Sequence, residues 1–178
     1  MQELQFRHAT TADVPALVEL VTSAYRGEVS RQGWTTEADL LDGQRVDPEV
    51  LLSDIQRSRS SVIIAERDGA MVACVHVAEE SGAGYLGMFS VRPDGQARGL
   101  GSQVIVEAER HAREELGLPL MRMTVIDIRD ELIAWYERRG YTRTGIKKPF
   151  PYGDTRFGIP RRDDLRFEVL EKSLETEE

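Results

Sequence analysis

The chain has 178 residues, with 23 Lys and Arg against 31 Asp and Glu, a formal net charge of −8 and a single cysteine. A chain of this length buries roughly 70% of the surface that its unfolded form exposes, so a single domain needs neither structural zinc nor disulfides. The negative charge argues against nucleic acid as a partner, because a duplex-binding protein would have to overcome charge repulsion.

The sequence also bears on the compartment in which the protein works. No apolar run approaches the ~20 residues of a membrane span, and the N-terminal MQELQFRHATTAD lacks the apolar core of a signal peptide. Cys74 lies in an apolar run and cannot form an intramolecular disulfide. We therefore expect a cytoplasmic protein that has no membrane partner.

The first half of the chain is typical of a strand and a helix followed by an antiparallel meander. Alternation over residues 3–8 predicts a strand, and Thr10 with Asp13 forms a capping box before a helix. Asp68-Gly69 predicts a hairpin, because both central positions of a type I′ turn need positive φ. We expect helices from Val14 to Arg26-Gly27 and over Pro48–Gln56, an irregular segment over Glu28–Asp47, and strands over Val62–Arg67, Met71–Val77 and Tyr85–Val91.

The second half alternates helices with strands. Gly117 and Gly140 predict the ends of two helices, and Asp130 predicts a cap at the start of the second. The expected helices are Gly99–Leu116 and Asp130–Arg139, the strands are Leu120–Ile126, Tyr141–Ile146 and Leu165–Leu170, and a loop covers Lys147–Asp164. We expect residues 170–178 to be a frayed acidic tail. The elements predict one domain over residues 1–178, an α/β fold with a mixed, mostly antiparallel sheet and helices on both faces.

The segment from Val91 to Ser102 carries the clearest chemical signal, because it joins a strand to a helix through a loop that contains glycine. Glycines let a ligand approach the backbone, and the free N–H groups of a helix N-terminus favour phosphate. The dinucleotide fingerprint G-x-G-x-x-G fails at Val104, and the P-loop pattern lacks its lysine before Ser102. A tight turn without a ligand stays an alternative on these residues alone.

The same loop resembles motif A of the GCN5-related N-acetyltransferases (GNAT family), whose signature Q/R-x-x-G-x-G/A is met by Gln96, Gly99 and Gly101. The segment Leu132–Tyr141 resembles motif B of that family. The resemblance implies the GNAT fold, acetyl-CoA as co-substrate and acetyl transfer to an amine in a ternary complex. It implies that Phe89, Ser90, Val91, Gln96, Ala97, Arg98, Gly99, Leu100, Gly101 and Ser102 bind the cofactor.

Two further positions take their expected roles from the family. Tyr136 matches the tyrosine that protonates the leaving thiolate in many members, a role that can coexist with that of a buried aromatic residue. Where the family often has an asparagine that touches the pantetheine arm, this sequence has Arg129. We expect Arg129 to contact the cofactor, or alternatively to pair with Asp130 or Glu131 at the surface.

The general base is not indicated by the resemblance. An amine with a pKa near ~10.4 must lose a proton before it attacks. Some members use a glutamate on the strand before motif A, but residues 85–90 contain no carboxylate. Glu37, Glu28 and Asp127 are the candidate bases.

The acceptor is not identified by the sequence beyond a small-molecule or peptide amine. Glu28 and Trp34 are expected to contact it, and the acidic residues of this segment suggest a cationic amine. No metal is expected, since the three histidines are scattered. A non-catalytic acyl-CoA-binding or regulatory module on the same fold is the alternative function. Family members are often homodimers, and the sequence leaves this open.

Overall fold

The computed structural model describes residues 4–26, 37–38, 40–42, 45–93, 99–154 and 158–175. Its helices are α1 (Val14–Tyr25), which follows a 3₁₀ turn at Thr11–Asp13, α2 (Pro48–Gln56), α3 (Leu100–Arg110), which continues as a π-helical turn over His111–Glu115, and α4 (Asp130–Glu137). Its strands are β1 (Gln5–His8), β2 (Leu41–Asp42), β3 (Ser60–Arg67), β4 (Ala70–Glu80), β5 (Ala83–Val91), β6 (Leu120–Ile126), β7 (Thr142–Pro149), β8 (Ile159–Pro160) and β9 (Arg166–Ser173).

Seven of these strands form one sheet in the order β1-β3-β4-β5-β6-β9-β7, and β2 pairs separately with β8. Neighbouring strands of the large sheet are antiparallel, with the exception of β5 and β6, which run parallel. The prediction of a mixed, mostly antiparallel sheet is confirmed.

Alternate residues of the central strands belong to two hydrophobic cores. Ile63 and Val75 belong to a core that includes residues of α3 and α4, whereas Ile64 and Cys74 belong to a core that includes residues of α1 and α2. Successive side chains of a strand point to opposite faces of the sheet. The helices therefore cover both faces, as predicted.

The local turn and cap signals form the structures that they predict. β3 and β4 are antiparallel, and Asp68 and Gly69 between them have φ values of +54° and +77°. Thr10 and Asp13 form the capping box, in which the Thr10 backbone N–H donates to Asp13 Oδ2 at 2.8 Å. Each of these patterns spans only two to four residues, so it predicts the local structure without knowledge of tertiary contacts.

The acidic tail was predicted wrongly. β9 extends to Ser173, and Leu174 is only 4% exposed. Leu170 and Leu174 pack into the core that contains α3 and α4, and Glu171 accepts from Arg122 at 2.9 Å. The leucines between the acidic residues therefore pack this segment against the rest of the fold as far as residue 175. Residues 176–178 lie outside the described chain.

Two other boundaries also differ from the expectation. The structure places Arg129 at the N-cap of α4, so that Asp130 is the first helical residue instead of the cap. β7 continues through Pro149 into the segment that was predicted to be a loop. That extension is explained by pairing with β9, where Lys148 lies opposite Phe167.

The parallel contact between β5 and β6 is short. Its register comprises the pairs Gly84–Met121 and Tyr85–Arg122. A Cβ atom on Gly84 would lie 3.0 Å from Met121 Sδ and 3.3 Å from the Leu120 carbonyl oxygen, so a glycine allows this close approach. The carboxyl-terminal parts of β5 and β6 instead line a common cavity.

A β-bulge in β5 lies beside this opening. The register between β4 and β5 shifts between Cys74 and His76, and the additional residue falls at Met88 and Phe89 of β5. Met88 has a φ of +52°, and its carbonyl oxygen accepts from Ser90 Oγ at 3.1 Å. A bulge turns the strand locally and re-aims its groups. Here it alters the direction of the backbone next to the cavity.

Candidate active site

A cavity of about 300 Å³ lies between the separated parts of β5 and β6. This volume is at the lower end of the ~300 to 1,000 Å³ that is usual for small-molecule sites. β5 contributes residues 85–89 and β6 contributes residues 124–126. Residues of α1, β2, α4, β9 and the connecting segments complete the lining: Tyr25, Arg26, Glu37, Leu41, Arg45, Arg129, Leu132, Tyr136, Phe150, Pro151 and Phe167.

Tyr136 places a phenol at this cavity from the last turn of α4. The residue is 4% exposed, and its ring packs edge-on against Trp135 and Tyr141, with centroid distances of 5.1 and 5.8 Å. Burial raises the pKa of Tyr136 well above its ordinary value. The hydroxyl is therefore protonated at neutral pH and can donate a proton or a hydrogen bond.

A second tyrosine connects α1 to the bulged strand. The Tyr25 hydroxyl donates to the carbonyl oxygen of Phe89, and burial raises the pKa of Tyr25 to about 12. The sequence analysis included Tyr25 in the first predicted helix and did not find its place at the cavity. No local signal could have found it, because the accepting carbonyl lies 64 positions away along the chain.

A cluster of charges lines the cavity beside these tyrosines. Glu37 accepts hydrogen bonds from Arg26 and from Arg129, whose Nη1 lies 3.2 Å from Glu37 Oε2. Arg45 Nε lies 4.0 Å from Glu37 Oε1. Burial alone would raise the pKa of Glu37, but the attraction of Arg129, Arg26 and Arg45 is stronger and lowers it. Glu37 is consequently ionised at neutral pH.

The structure places Glu37 and Asp127, the candidate bases that lie within the described residues, in different surroundings. Glu37 lines the cavity, whereas Asp127 is not one of the described lining residues. Asp127 accepts from Arg166 at 2.6 Å and from Lys147 at 3.3 Å. Burial acts to raise the pKa of Asp127, but these two hydrogen bonds and charges lower it overall. Both carboxylates are therefore ionised.

The two segments that carried the family resemblance meet in space. Gly99, with a φ of +74°, is the N-cap of α3, and Leu100 is buried behind it. A Cβ atom on Gly101 would lie 3.1 Å from Phe89 Cζ. The Arg139 guanidinium lies 3.6 Å from the ring centroid of Trp135 and donates to Ser102 Oγ at 2.7 Å. The start of α3 is thus fixed against both β5 and α4.

Only some of the other residues predicted to bind the cofactor or the acceptor lie within the described ranges. Ser90 and Val91 are buried, and they pair with Cys74 and Ala73 of β4. Arg129 makes the contact with Glu37 described above, which the sequence did not predict. Gln96, Ala97, Arg98, Glu28 and Trp34 lie outside the described residues, and their roles stay predictions.

Among the described residues, no group of three or more His, Cys, Asp or Glu side chains could hold a metal ion. None of the helices in the described ranges is long and apolar enough to cross a membrane.

The chain is similar to several acetyltransferases. It is 29% identical over 146 residues to an amino-acid acetyltransferase of Azotobacter vinelandii, a match that covers 81% of this chain and 29% of that protein. It is 26% identical over 149 residues to the S-(2-succino)cysteine N-acetyltransferase of Bacillus subtilis, which covers 79% of this chain and 86% of that protein. The chain thus spans less than a third of the first relative's length.

The fold is also similar to a solved structure. The yncA protein of Salmonella typhimurium, determined with its cofactor acetyl-CoA, superimposes with a TM-score of 0.69 at 18% identity, and the match covers 99% of this chain and 96% of that one. The sequence model of the Acetyltransferase (GNAT) family matches residues 16–141, which include α3, α4 and the strands around the cavity. The chain therefore belongs to the GNAT family of acetyltransferases.

Proposed function

We propose that this protein transfers an acetyl group from acetyl-CoA to the amine of a small-molecule or peptide acceptor, by direct attack within a ternary complex. The observation that carries the proposal is the buried, protonated Tyr136 hydroxyl at the cavity between β5 and β6. Membership of the family supports acetyl-CoA as the co-substrate.

The start of α3 fits the pyrophosphate of acetyl-CoA. The first backbone N–H groups of a helix have no partner within the helix, and the helix dipole adds partial positive charge. Gly99 has a positive φ, and no heavy atom of the described residues lies within 4 Å of a Cβ built on it, so these residues leave room for a ligand at this end of the helix. We place the phosphates on Gly99 to Ser102, with Gln96, Ala97 and Arg98 as further contacts in the same loop.

The pantetheine arm fits the edge of β5 that faces β6. This edge continues beyond Tyr85, the last residue of β5 in the register with β6. We place the arm along Phe89, Ser90 and Val91, which brings the thioester to the bulge and to the cavity. There the backbone N–H groups of β5 polarise the carbonyl.

The reaction exchanges the carbon–sulfur bond of the thioester for a carbon–nitrogen bond to the acceptor. The thioester supplies an activated acetyl group, whose carbon bonds to the acceptor nitrogen as its bond to sulfur breaks. The acceptor ammonium loses two protons overall. Tyr136 gives one proton to the sulfur and is reprotonated from solvent at the end of the cycle, so that one proton is released in total. Holding the amine beside the thioester and protonating the sulfur are the two contributions that we assign to the protein.

Proton removal from the amine is assigned to the carboxylates that the sequence singled out. Glu37 is better placed than Asp127, because Glu37 lines the cavity. Each has a lowered pKa and is therefore a weak base. We infer that Glu37 removes the proton of the amine through a water molecule. Because Glu37 is a weak base, we expect transfer to be faster at alkaline pH, where deprotonating the amine costs less free energy.

We also propose that the chain forms one domain in the cytoplasm. A single sheet runs from β1 at Gln5 to β9 at Ser173, which supports one domain over this range. The buried free thiol of Cys74 is compatible with a reducing compartment.

Calorimetric titration with acetyl-CoA tests the proposal, with ATP and NADH as controls. We expect micromolar binding of acetyl-CoA and no comparable binding of the controls. Thiol release across a panel of amines then tests transfer. Equal affinity for ATP, or no binding of acetyl-CoA, would contradict the proposal, and binding without transfer to any amine would favour a non-catalytic module.

A further inference from the structure

The bulge of β5 has an unusual backbone conformation at the cavity. Met88 is buried and has a φ of +52°, in the left-handed region that residues other than glycine seldom adopt. Met88 and Phe89 both line the cavity. A conformation of this kind persists only where surrounding contacts impose it, and such conformations cluster at functional sites. The contacts that impose it here therefore bear on the function of the cavity.

Side chains hold both carbonyl groups of the bulge. The Met88 carbonyl oxygen accepts from Ser90 Oγ at 3.1 Å and from Cys74 Sγ at 3.8 Å. The Phe89 carbonyl oxygen accepts from the Tyr25 hydroxyl. Ser90 and Cys74 belong to the paired strands β5 and β4, whereas Tyr25 is the last residue of α1. Tyr25 therefore ties the bulge to a helix outside the sheet.

Holding these carbonyl groups also fixes the neighbouring N–H groups. A peptide unit is planar, and the described backbone contains no cis peptide bond. The N–H of Phe89 thus points away from the Met88 carbonyl, and the N–H of Ser90 points away from the Phe89 carbonyl. Both N–H groups belong to the segment on which the proposed function places the pantetheine arm and the thioester.

Tyr25 is itself held in place. Its backbone carbonyl oxygen accepts from the Glu37 N–H at 2.8 Å, and the guanidinium carbon of Arg45 lies 4.9 Å from the centroid of its ring. Its side chain packs in the core that also contains Cys74 and Met88. A residue can position another group well when packing and hydrogen bonds fix its own side chain. The Tyr25 hydroxyl is therefore a rigid anchor for the bulge.

A role as proton donor fits Tyr25 less well than this anchoring role. A tyrosine hydroxyl has a single hydrogen, and donation to the Phe89 carbonyl uses it. Burial raises the pKa of Tyr25 to about 12, so the hydroxyl keeps that hydrogen at neutral and mildly alkaline pH. Tyr25 could protonate a ligand only by releasing the bulge.

We propose that Tyr25 is a positioning residue for acetyl transfer: its hydroxyl fixes the bulge of β5, and thereby the backbone N–H groups that polarise the thioester carbonyl. This inference rests on the proposed function. Misplacing a reacting group by about 1 Å can lower a rate by about 100-fold. Tyr25 raises the rate through Phe89 and Ser90 and exchanges no proton in the reaction.

The variant Tyr25→Phe tests the inference, because it removes the hydroxyl and keeps the ring. We expect kcat at saturating acetyl-CoA to fall by about 10- to 100-fold, while the Kd for acetyl-CoA stays within about threefold. The shape of the pH profile of kcat should stay the same from about pH 6 to 9, because Tyr25 carries no proton of the reaction. Thiol release with an amine that the wild type acetylates gives kcat, and calorimetry gives the Kd.

The carbonyl stretch of bound acetyl-CoA gives a second readout that needs no acceptor. Acetyl-CoA labelled with a heavy carbon isotope at the acetyl carbonyl is bound to the protein and measured by infrared difference spectroscopy. Hydrogen bonds that polarise a carbonyl lower its stretching frequency. We expect the band of the wild-type complex to lie below that of free acetyl-CoA, and the band of Tyr25→Phe to shift back towards the free value. A residue that only stabilises the fold would not move this band.

Tyr141→Phe is the matched control. Tyr141 is also buried and its hydroxyl also donates a hydrogen bond, but it is not one of the described residues that line the cavity. This variant should lose stability and keep the wild-type kcat and band. Ser90→Ala removes a donor to the adjacent Met88 carbonyl and should change kcat and the band in the same direction as Tyr25→Phe. It serves as the test if Tyr25→Phe does not fold.

Three results would overturn the inference: a wild-type kcat in the folded variant, a carbonyl band that the variant does not move, or an equal fall in kcat in Tyr141→Phe. Binding of acetyl-CoA is measured on the same samples. If the wild type binds and transfers acetyl groups and the variants behave as it does, only the inference fails. If the wild type does not bind acetyl-CoA, the proposed function fails and the inference with it.

Discussion

Replacing Tyr136 with phenylalanine separates the chemical role of this residue from its packing role. The ring contacts with Trp135 and Tyr141 are retained, and the Tyr136 hydroxyl makes no hydrogen bond to any described residue that would be lost. We therefore expect the free energy of unfolding to change by less than about 1 kcal/mol. Loss of the proton donor should lower kcat by roughly 10- to 1,000-fold, which corresponds to about 1.4 to 4 kcal/mol in the barrier.

Tyr141→Phe provides a control in which the two effects are reversed. The Tyr141 hydroxyl donates to Glu109 Oε2 at 3.1 Å, and Tyr141 is not one of the described residues that line the cavity. Its removal should lower the free energy of unfolding by about 1.5 to 3 kcal/mol, because the lost hydrogen bond involves a charged group. The kcat should stay within about twofold of the wild-type value.

The assays are steady-state thiol release at saturating acetyl-CoA, calorimetry for cofactor affinity, and urea unfolding for stability. Tyr136→Phe should bind acetyl-CoA as the wild type does. An unchanged kcat in that variant would remove Tyr136 from the mechanism. A fall in kcat that is accompanied by an equal loss of stability or of cofactor affinity would refute the separation of roles.

Three further changes have expected outcomes. Asp13→Ala should cost about 1 to 2 kcal/mol in urea unfolding, through the capping box and the ion pair with Arg7. Because the pKa of folded Asp13 is lowered from 3.8 to about 2, this difference should be full above pH 3.8 and shrink as the pH falls towards 2, and a pH-independent difference would contradict the reasoning. Gly99→Ala should lower the free energy of unfolding by about 1 to 2 kcal/mol in the same assay. Gly99→Asn should lower it less, because asparagine tolerates positive φ. Equal losses would argue against backbone strain. Glu37→Gln should cost about 3 to 5 kcal/mol, as it leaves buried guanidinium groups without their carboxylate, and an unchanged unfolding midpoint would show that the cluster contributes nothing to stability.

The features that could be predicted from the sequence depend on neighbouring residues. Asp68-Gly69 determines a hairpin, and Pro48 begins α2, as predicted. In the structure, Asp47 caps this helix by accepting from the Val50 backbone N–H at 3.0 Å. The loop around Gly99 and Gly101 was recognised for the same reason. Such patterns are complete within a few residues, so their structural meaning does not depend on the rest of the fold.

The features that could not be predicted depend on residues far apart in the chain. Arg129 and Glu37 are 92 positions apart, and nothing in either local sequence indicates that they meet. Counting acidic residues could therefore not reveal that guanidinium groups surround Glu37. The tail was misjudged because its acidic composition concealed Leu174, whose burial requires the core to be in place.

The position of β9 has a consequence for the synthesis of the protein. β9 comes after β6 and β7 along the chain, yet it lies between them in the sheet and pairs with both. Until the ribosome has produced residues 166–173, β7 has no neighbour in the sheet and the edge of β6 that β9 will cover remains open. An open strand edge can pair with another chain. The nascent protein is thus exposed to aggregation until β9 emerges, and the sheet cannot be completed before residues 166–173 have been synthesised.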